Sequence, residues 1–121
     1  SKEKIMLERE VYDTITYCAD GKCAIVWVTL DMLKSLNIGE DEIEGLASIP
    51  RQIEGVLIGI TMKEKEGGFF KISVRTNGNI DAAKFCSRFG GGGHKAAAGC
   101  SVNGSLEDVR SQLIKAAEET L

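Results

Sequence analysis

Residues 90–95 read Gly-Gly-Gly-Gly-His-Lys, and Arg75 closes the segment "KISVRT" upstream. These residue types suit the capture of an anion. Glycines let a backbone come close to a ligand and turn its N–H groups toward it. His94, the single histidine of the chain, can donate a hydrogen bond or carry charge beside an anion, and Lys95 adds a fixed positive charge. A guanidinium such as that of Arg75 presents a fork that matches phosphate oxygens. Candidate binding residues are therefore Arg75, Gly91, Gly92, Gly93, His94 and Lys95. The run "HKAAAG" (94–99) predicts a short helix whose free N–H groups and positive end would face the same anion.

Two plainer readings of the glycines are weaker. A linker should join two polar segments, yet Phe89 precedes the run and too few residues follow for a second domain. A helix stop needs one glycine, and four lose more backbone freedom than a stop requires. The run is also not a nucleotide-hydrolysing loop of the G-x-x-x-x-G-K-[ST] type, which is absent.

Charge is partitioned in favour of an anion site. The net charge is −3, but residues 67–104 hold Lys71, Arg75, Lys84, Arg88 and Lys95 against Asp81 alone. A local basic patch on an acidic chain fits a discrete anion better than long DNA. Arg51, Lys84 and Arg88 read as ordinary surface charges. Cys18, Cys23, Cys86 and Cys100 lack the close ligand pairs of a zinc site, so they are expected as reduced, small core residues. No segment approaches the roughly 20 apolar residues of a membrane span. The start, Ser1-Lys2-Glu3-Lys4, is not a secretory leader, which places the expected location in the cytoplasm. An opening serine fits a piece of a longer protein.

Elements that would position these residues follow from patterning. A helical turn after Lys4 passes into a strand "TITYC", and Asp20-Gly21 predicts a two-residue hairpin into the strand Cys23–Val28. Thr29 caps an amphipathic helix over 30–39, and a short acidic helix is expected over 40–47. Two strands, "EGVLIGITMKE" (54–64) and "FFKISVRT" (69–76), pair through a glycine turn, the second alternating Phe70, Ile72 and Val74 with Lys71, Ser73 and Arg75. Asn79 is expected to cap a helix over 80–89, with Ile80, Ala83 and Phe89 inward. Ser105 caps a last helix with Leu106, Val109, Leu113, Ala117 and Leu121 on one face. The expected fold is α/β (α+β): one domain, 1–121, with a mixed sheet of about five strands and flanking helices.

The assembled stretch "KISVRTNGNIDAAKFCSRFGGGGHKAAAG" resembles the DHHA1 domain, the substrate-binding half of DHH-superfamily phosphoesterases. It is most similar to the branch of nanoRNases and 3′-phosphoadenosine-5′-phosphate phosphatases. The likeness is strongest from 55 to 102 and makes residues 1–18 include the end of an inter-domain connection. It implies that Arg75 and Gly91-Gly92-Gly93-His94 contact substrate phosphate and nucleotide, with Lys95 beside them. The partners it implies are short RNA or nucleotide phosphates and an N-terminal DHH domain of the same polypeptide, with room for a homodimer. It also implies manganese, held by that catalytic half; this chain has no Asp-His-His motif and is not expected to cleave a phosphoester by itself. The alternative is a non-catalytic nucleic-acid-binding module like the C-terminal domain of alanyl-tRNA synthetases. Those domains usually carry a lysine-type variant of the glycine motif, so His94 favours the phosphoesterase branch.

Overall fold

The computed structural model describes all 121 residues, Ser1 to Leu121. Helix α1 (Lys2–Asp13) is capped by Ser1 and leads to a six-stranded mixed sheet: β1 (Thr16–Cys18), β2 (Cys23–Val28), β3 (Ile58–Lys65), β4 (Phe69–Thr76), β5 (Gly92–Gly93) and β6 (Ala97–Asn103). The strand order is β1-β2-β3-β4-β6-β5, with β2–β3 parallel and the other pairs antiparallel. The parallel pair requires a crossover. It runs through α2 (Leu30–Ser35) and three single 3-10 turns at Glu40–Glu42, Leu46–Ser48 and Pro50–Gln52. Helices α3 (Ala82–Ser87) and α4 (Leu106–Thr120) complete the chain.

The sheet separates two cores. One face carries Ile25, Ile58, Ile60, Met62, Ile72, Val74 and Cys100, packed under α3 and α4 through Phe85, Cys86, Val109, Leu113 and Ala117. On the other face Val26 and Val28 of β2 meet Leu7 and Val11 of α1, Leu33 of α2 and the 3-10 turns through Leu46 and Ile49. That second cover thins out past β3. Thr61 Oγ1 donates to the Leu46 carbonyl, and Gly59 lies so close to Pro50 and Arg51 that a Cβ would stand 2.8 Å from Arg51 N. Beyond β3 only the Leu46–Ser48 turn reaches the near side of β4, and the rest of the sheet face is bare.

Local chemistry explains the helix ends. Thr29 and Met32 form a reciprocal cap at α2, and Ser105 Oγ accepts from Asp108 N at α4. The expected strands 23–28 and 69–76 and the last helix are present, the strand expected over 54–64 runs Ile58–Lys65, and the mixed sheet has its flanking helices. Several expectations change. The N-terminal turn is a twelve-residue helix, and the acidic helix over 40–47 is replaced by 3-10 turns. The Asp20-Gly21 connection is a four-residue loop, Ala19–Lys22, with Ala19, Asp20 and Gly21 all at positive φ. Asp81 rather than Asn79 caps α3; Ala82, Phe85 and Cys86 are its buried residues, and the expected Ile80, Ala83 and Phe89 pack against the core partly buried. Residues 97–103 are a strand, not a helix followed by a short strand, because alternate residues Ala98, Cys100 and Val102 pair with β4 and reach the core. All four cysteines are free thiols, with Cys18 opposite Cys23 in register.

Candidate functional site

Directly opposed residues in a ladder share a face, so the register maps the bare side of β4, β6 and β5 as three rows. The first runs Arg75–Ala97 and continues to His94, whose N–H donates to Ala97 O at 2.8 Å and whose carbonyl accepts from Ala97 N at 3.4 Å. The second is Ser73–Gly99–Gly92. The third is Lys63–Lys71–Ser101. The result is a floor of small residues with cations toward both ends, walled on the β3 side by the 3-10 turns at 46–52. Along β4, Lys71 and Arg75 are four residues apart, about 13 Å at strand rise.

Electrostatics single out the same surface. Lys63 is half-buried, and burial together with Lys71, Lys65 and Arg75 holds its pKa below that of an ordinary lysine, against a weaker opposing pull from Glu44. Ion pairs in the molecule join Lys65 to Glu40 and Arg88 to Glu119, so Lys63, Lys71 and Arg75 take no carboxylate partner. Arg75 donates only to its neighbour's carbonyl, Val74 O, at 3.2 Å. Lys63 is not visible as a site residue in the sequence, and Lys71 shows there only as part of the basic patch and the polar face of β4, because their pairing across two strands is a matter of register.

The glycines divide by role. Gly90 has φ +78° and Gly93 φ +147°. A Cβ on Gly91 would come within 2.8 Å of Cys100 Cα and closer still to the Gly99 carbonyl. Each of these three is required by the chain's own packing or backbone. Gly92 differs: its φ is ordinary and nothing lies within 4 Å of where its Cβ would stand. Here the fold leaves open space above a backbone on the bare face.

No helix begins at His94, so the expected helix end facing an anion is absent. Residues 92–99 instead form a tight hairpin with Lys95 and Ala96 at its tip, because pairing with β4 outweighs the helix preference of three alanines. The tip is fastened at one carbonyl. Lys95 O accepts from Ala82 N at 2.6 Å and from Thr76 Oγ1 at 3.1 Å. Lys95 itself lines an open groove of about 740 Å³ on the helix side, with Asn79, Asp81, Lys84, Arg88 and Glu119. The structure thus brings Arg75, Gly92 and His94 to one face, keeps Gly91 and Gly93 as the close-packed backbone beneath, and sends Lys95 to the other side.

No cluster of three or more His, Cys, Asp or Glu side chains could hold a metal ion. The bare face gathers cations, which repel a divalent ion. Manganese, which the resemblance implies for the catalytic half, does not fit the residues of this chain. No helix is long and apolar enough to cross a membrane.

Comparison with known proteins bears on the family and the fold. Residues 20–121 match the model of the DHHA1 domain. Over 83 residues the chain is 29% identical to the bifunctional oligoribonuclease and PAP phosphatase NrnA of Thermus thermophilus, covering 68% of this chain and 25% of that protein. An exopolyphosphatase-related protein from Bacteroides fragilis superposes with a TM-score of 0.86 at 24% identity, over 98% of this chain and 36% of that one. The C-Ala domain of Aquifex aeolicus alanyl-tRNA synthetase shares the fold at a TM-score of 0.56 and 16% identity, over 88% of this chain and 96% of that domain. The chain spans a quarter of the curated relative and about a third of the Bacteroides protein. With the family model covering residues 20–121, the chain belongs to the DHHA1 family.

Proposed function

We propose that this chain is the substrate-holding half of a DHH-type phosphoesterase acting on short oligoribonucleotides or nucleoside bisphosphates. The observation that carries the reading is the gathering of Lys63, Lys71 and Arg75 around the Gly92–Gly99 floor, none of them in an ion pair. Leaving like charges together without carboxylates is unfavourable unless an anion joins them. The bare face is a floor and not an enclosed cavity, which suits a cleft closed by a second body. That body would be a DHH half on the same polypeptide, holding manganese and activating water. The residues of this chain would position the substrate and neutralise phosphate charge. The curated relative, named for activity on oligoribonucleotides and on PAP, supports this substrate class.

The test is an NMR titration of the chain with adenosine 3′,5′-bisphosphate and with the dinucleotide pApA. Weak binding is expected, with shifts centred on Arg75, Gly92 and Gly99 and an affinity that falls between about 50 and 200 mM salt. Arg75→Ala and His94→Ala should each weaken binding about tenfold or more, the loss of a charge-assisted contact. Absence of shifts at millimolar ligand overturns the reading. The shared fold of the synthetase domain supplies the rival, a nucleic-acid-binding module without catalysis. A clear preference for tRNA over dinucleotides would select it.

A further inference from the structure

Lys63 and Lys71 are directly opposed on β3 and β4 and share the bare face. Like charges in that relation repel each other and weaken the sheet. The charges facing them are Arg75 on β4, Lys65 on β3 and Glu44 in the crossover; Glu40 is occupied by Lys65. Ser101 of β6 completes the row with a hydroxyl. The row lies about 13 Å along the strand from Arg75, across the small residues Ser73, Gly99 and Gly92. Lys63, Lys71 and Arg75 together carry more charge than one phosphate neutralises, and a chain with phosphates on successive nucleotides matches them, with its sugar and base over the glycine floor.

We propose that Lys63, Lys71 and Ser101 form a second anion subsite that takes a neighbouring phosphate of a short oligonucleotide, so that the face prefers ligands with separated phosphates over a mononucleotide. This rests on the reading of the bare face as the substrate-holding surface. Arg75 anchors one phosphate and the lysine row counts the next. The repulsion between the two lysines is relieved when the second phosphate arrives, which adds to the preference for length.

Calorimetric titration of the chain with AMP, pApA and pApApA tests this, using wild type, Lys71→Ala and Arg75→Ala. In wild type, affinity should rise from AMP to the longer ligands. Lys71→Ala should remove most of that rise, about 5–20-fold, weaken pApApA far more than AMP, and lower the salt slope for pApApA by about 0.7, one phosphate contact on a single strand. Lys71 is exposed and its removal relieves repulsion, so the variant should melt at the same or a higher temperature than wild type. Arg75→Ala should weaken all three ligands. If Lys71→Ala weakens AMP and pApApA equally, or neither, while Arg75→Ala still weakens both, the subsite is wrong and the substrate-holding reading survives. If wild type binds no ligand, both fall together.

Discussion

At Gly92, an ordinary φ and open space mean that the fold itself does not demand a glycine. A ligand approaching the backbone would demand one. Gly92→Ala should therefore leave stability within about 0.5 kcal/mol of wild type, or raise it slightly through the unfolded chain, while weakening nucleotide binding. Gly91→Ala should instead cost about 1–3 kcal/mol, because the added carbon collides with the backbone of β6. Urea unfolding beside a binding titration separates the two, and a Gly92→Ala protein that binds like wild type would remove Gly92 from the site. Lys63 carries a second prediction at this scale. Its pKa is held below the ordinary lysine value of 10.5 by burial first and by Lys71, Lys65 and Arg75 next. Below the lowered pKa the folded protein bears the full penalty of that charge. As pH rises toward 10.5 the native state sheds its proton before the unfolded chain does, so this group makes stability rise through that window. A bound phosphate favours the charged lysine. Affinity should hold steady near neutrality and decline as pH passes Lys63's lowered pKa, short of the ordinary lysine range, and Lys63→Arg should move that decline to higher pH. An unchanged alkaline profile in Lys63→Arg would show that Lys63 does not face the ligand.

Among the elements, the β5–β6 hairpin sets the geometry of the floor, and its tip is held by what it meets elsewhere in the chain. Thr76, almost fully buried, donates its hydroxyl to Lys95 O, the carbonyl that also accepts from the start of α3. Thr76→Val keeps the shape and deletes this bond. It should cost about 1 kcal/mol and speed hydrogen exchange at the Ala82 and His94 amides, while exchange in β2 stays slow. Equal acceleration throughout the molecule would mean the tip is not a separately anchored unit. The same hairpin marks where the sequence was readable and where it was not. In "KISVRT" the alternation of apolar and polar residues states both strand and face, and Arg75 could be placed from it. In "HKAAAG" three alanines carry helix preference and no alternation, and only pairing with β4 makes a strand of Ala97 and Ala98. The glycine run and His94 were visible as chemistry, but Lys95 could not be assigned to the helix side without the turn at 94–97. Lys63 and Lys71, eight residues apart in sequence, needed the register of the two strands that carry them. Helix α1 was underestimated for a related reason: it buries only Leu7 and Val11, and that pair gives little periodic signal among charges.

Across the whole molecule, the sheet is supported from behind by one continuous core, while its front is divided between a covered half and a bare one. The net charge of −3 coexists with a positive front because the acids lie mainly outside residues 67–104. The cover over β2 depends on α1, which lies before the residues matched by the DHHA1 model. The family boundary at residue 20 is therefore not the folding boundary. Leu7 is 1% exposed and Val11 fully buried, against Val26, Val28, Leu33 and Ile43. Two such side chains contribute about 1.5–3 kcal/mol each, so removing residues 1–13 should cost about 3–6 kcal/mol. That is a large part of the roughly 5–15 kcal/mol that holds a domain folded. The fragment should show a urea midpoint far below that of the 121-residue chain, with a similar loss for the 20–121 fragment. Trp27 offers an internal probe, since its backbone N–H donates to Thr14 Oγ1 and its ring lies under Arg110 with the guanidinium carbon 5.0 Å from the ring centroid. A shortened chain with an unchanged urea midpoint would show that α1 is an appendage and that the bare half of the sheet stands on the rear core alone.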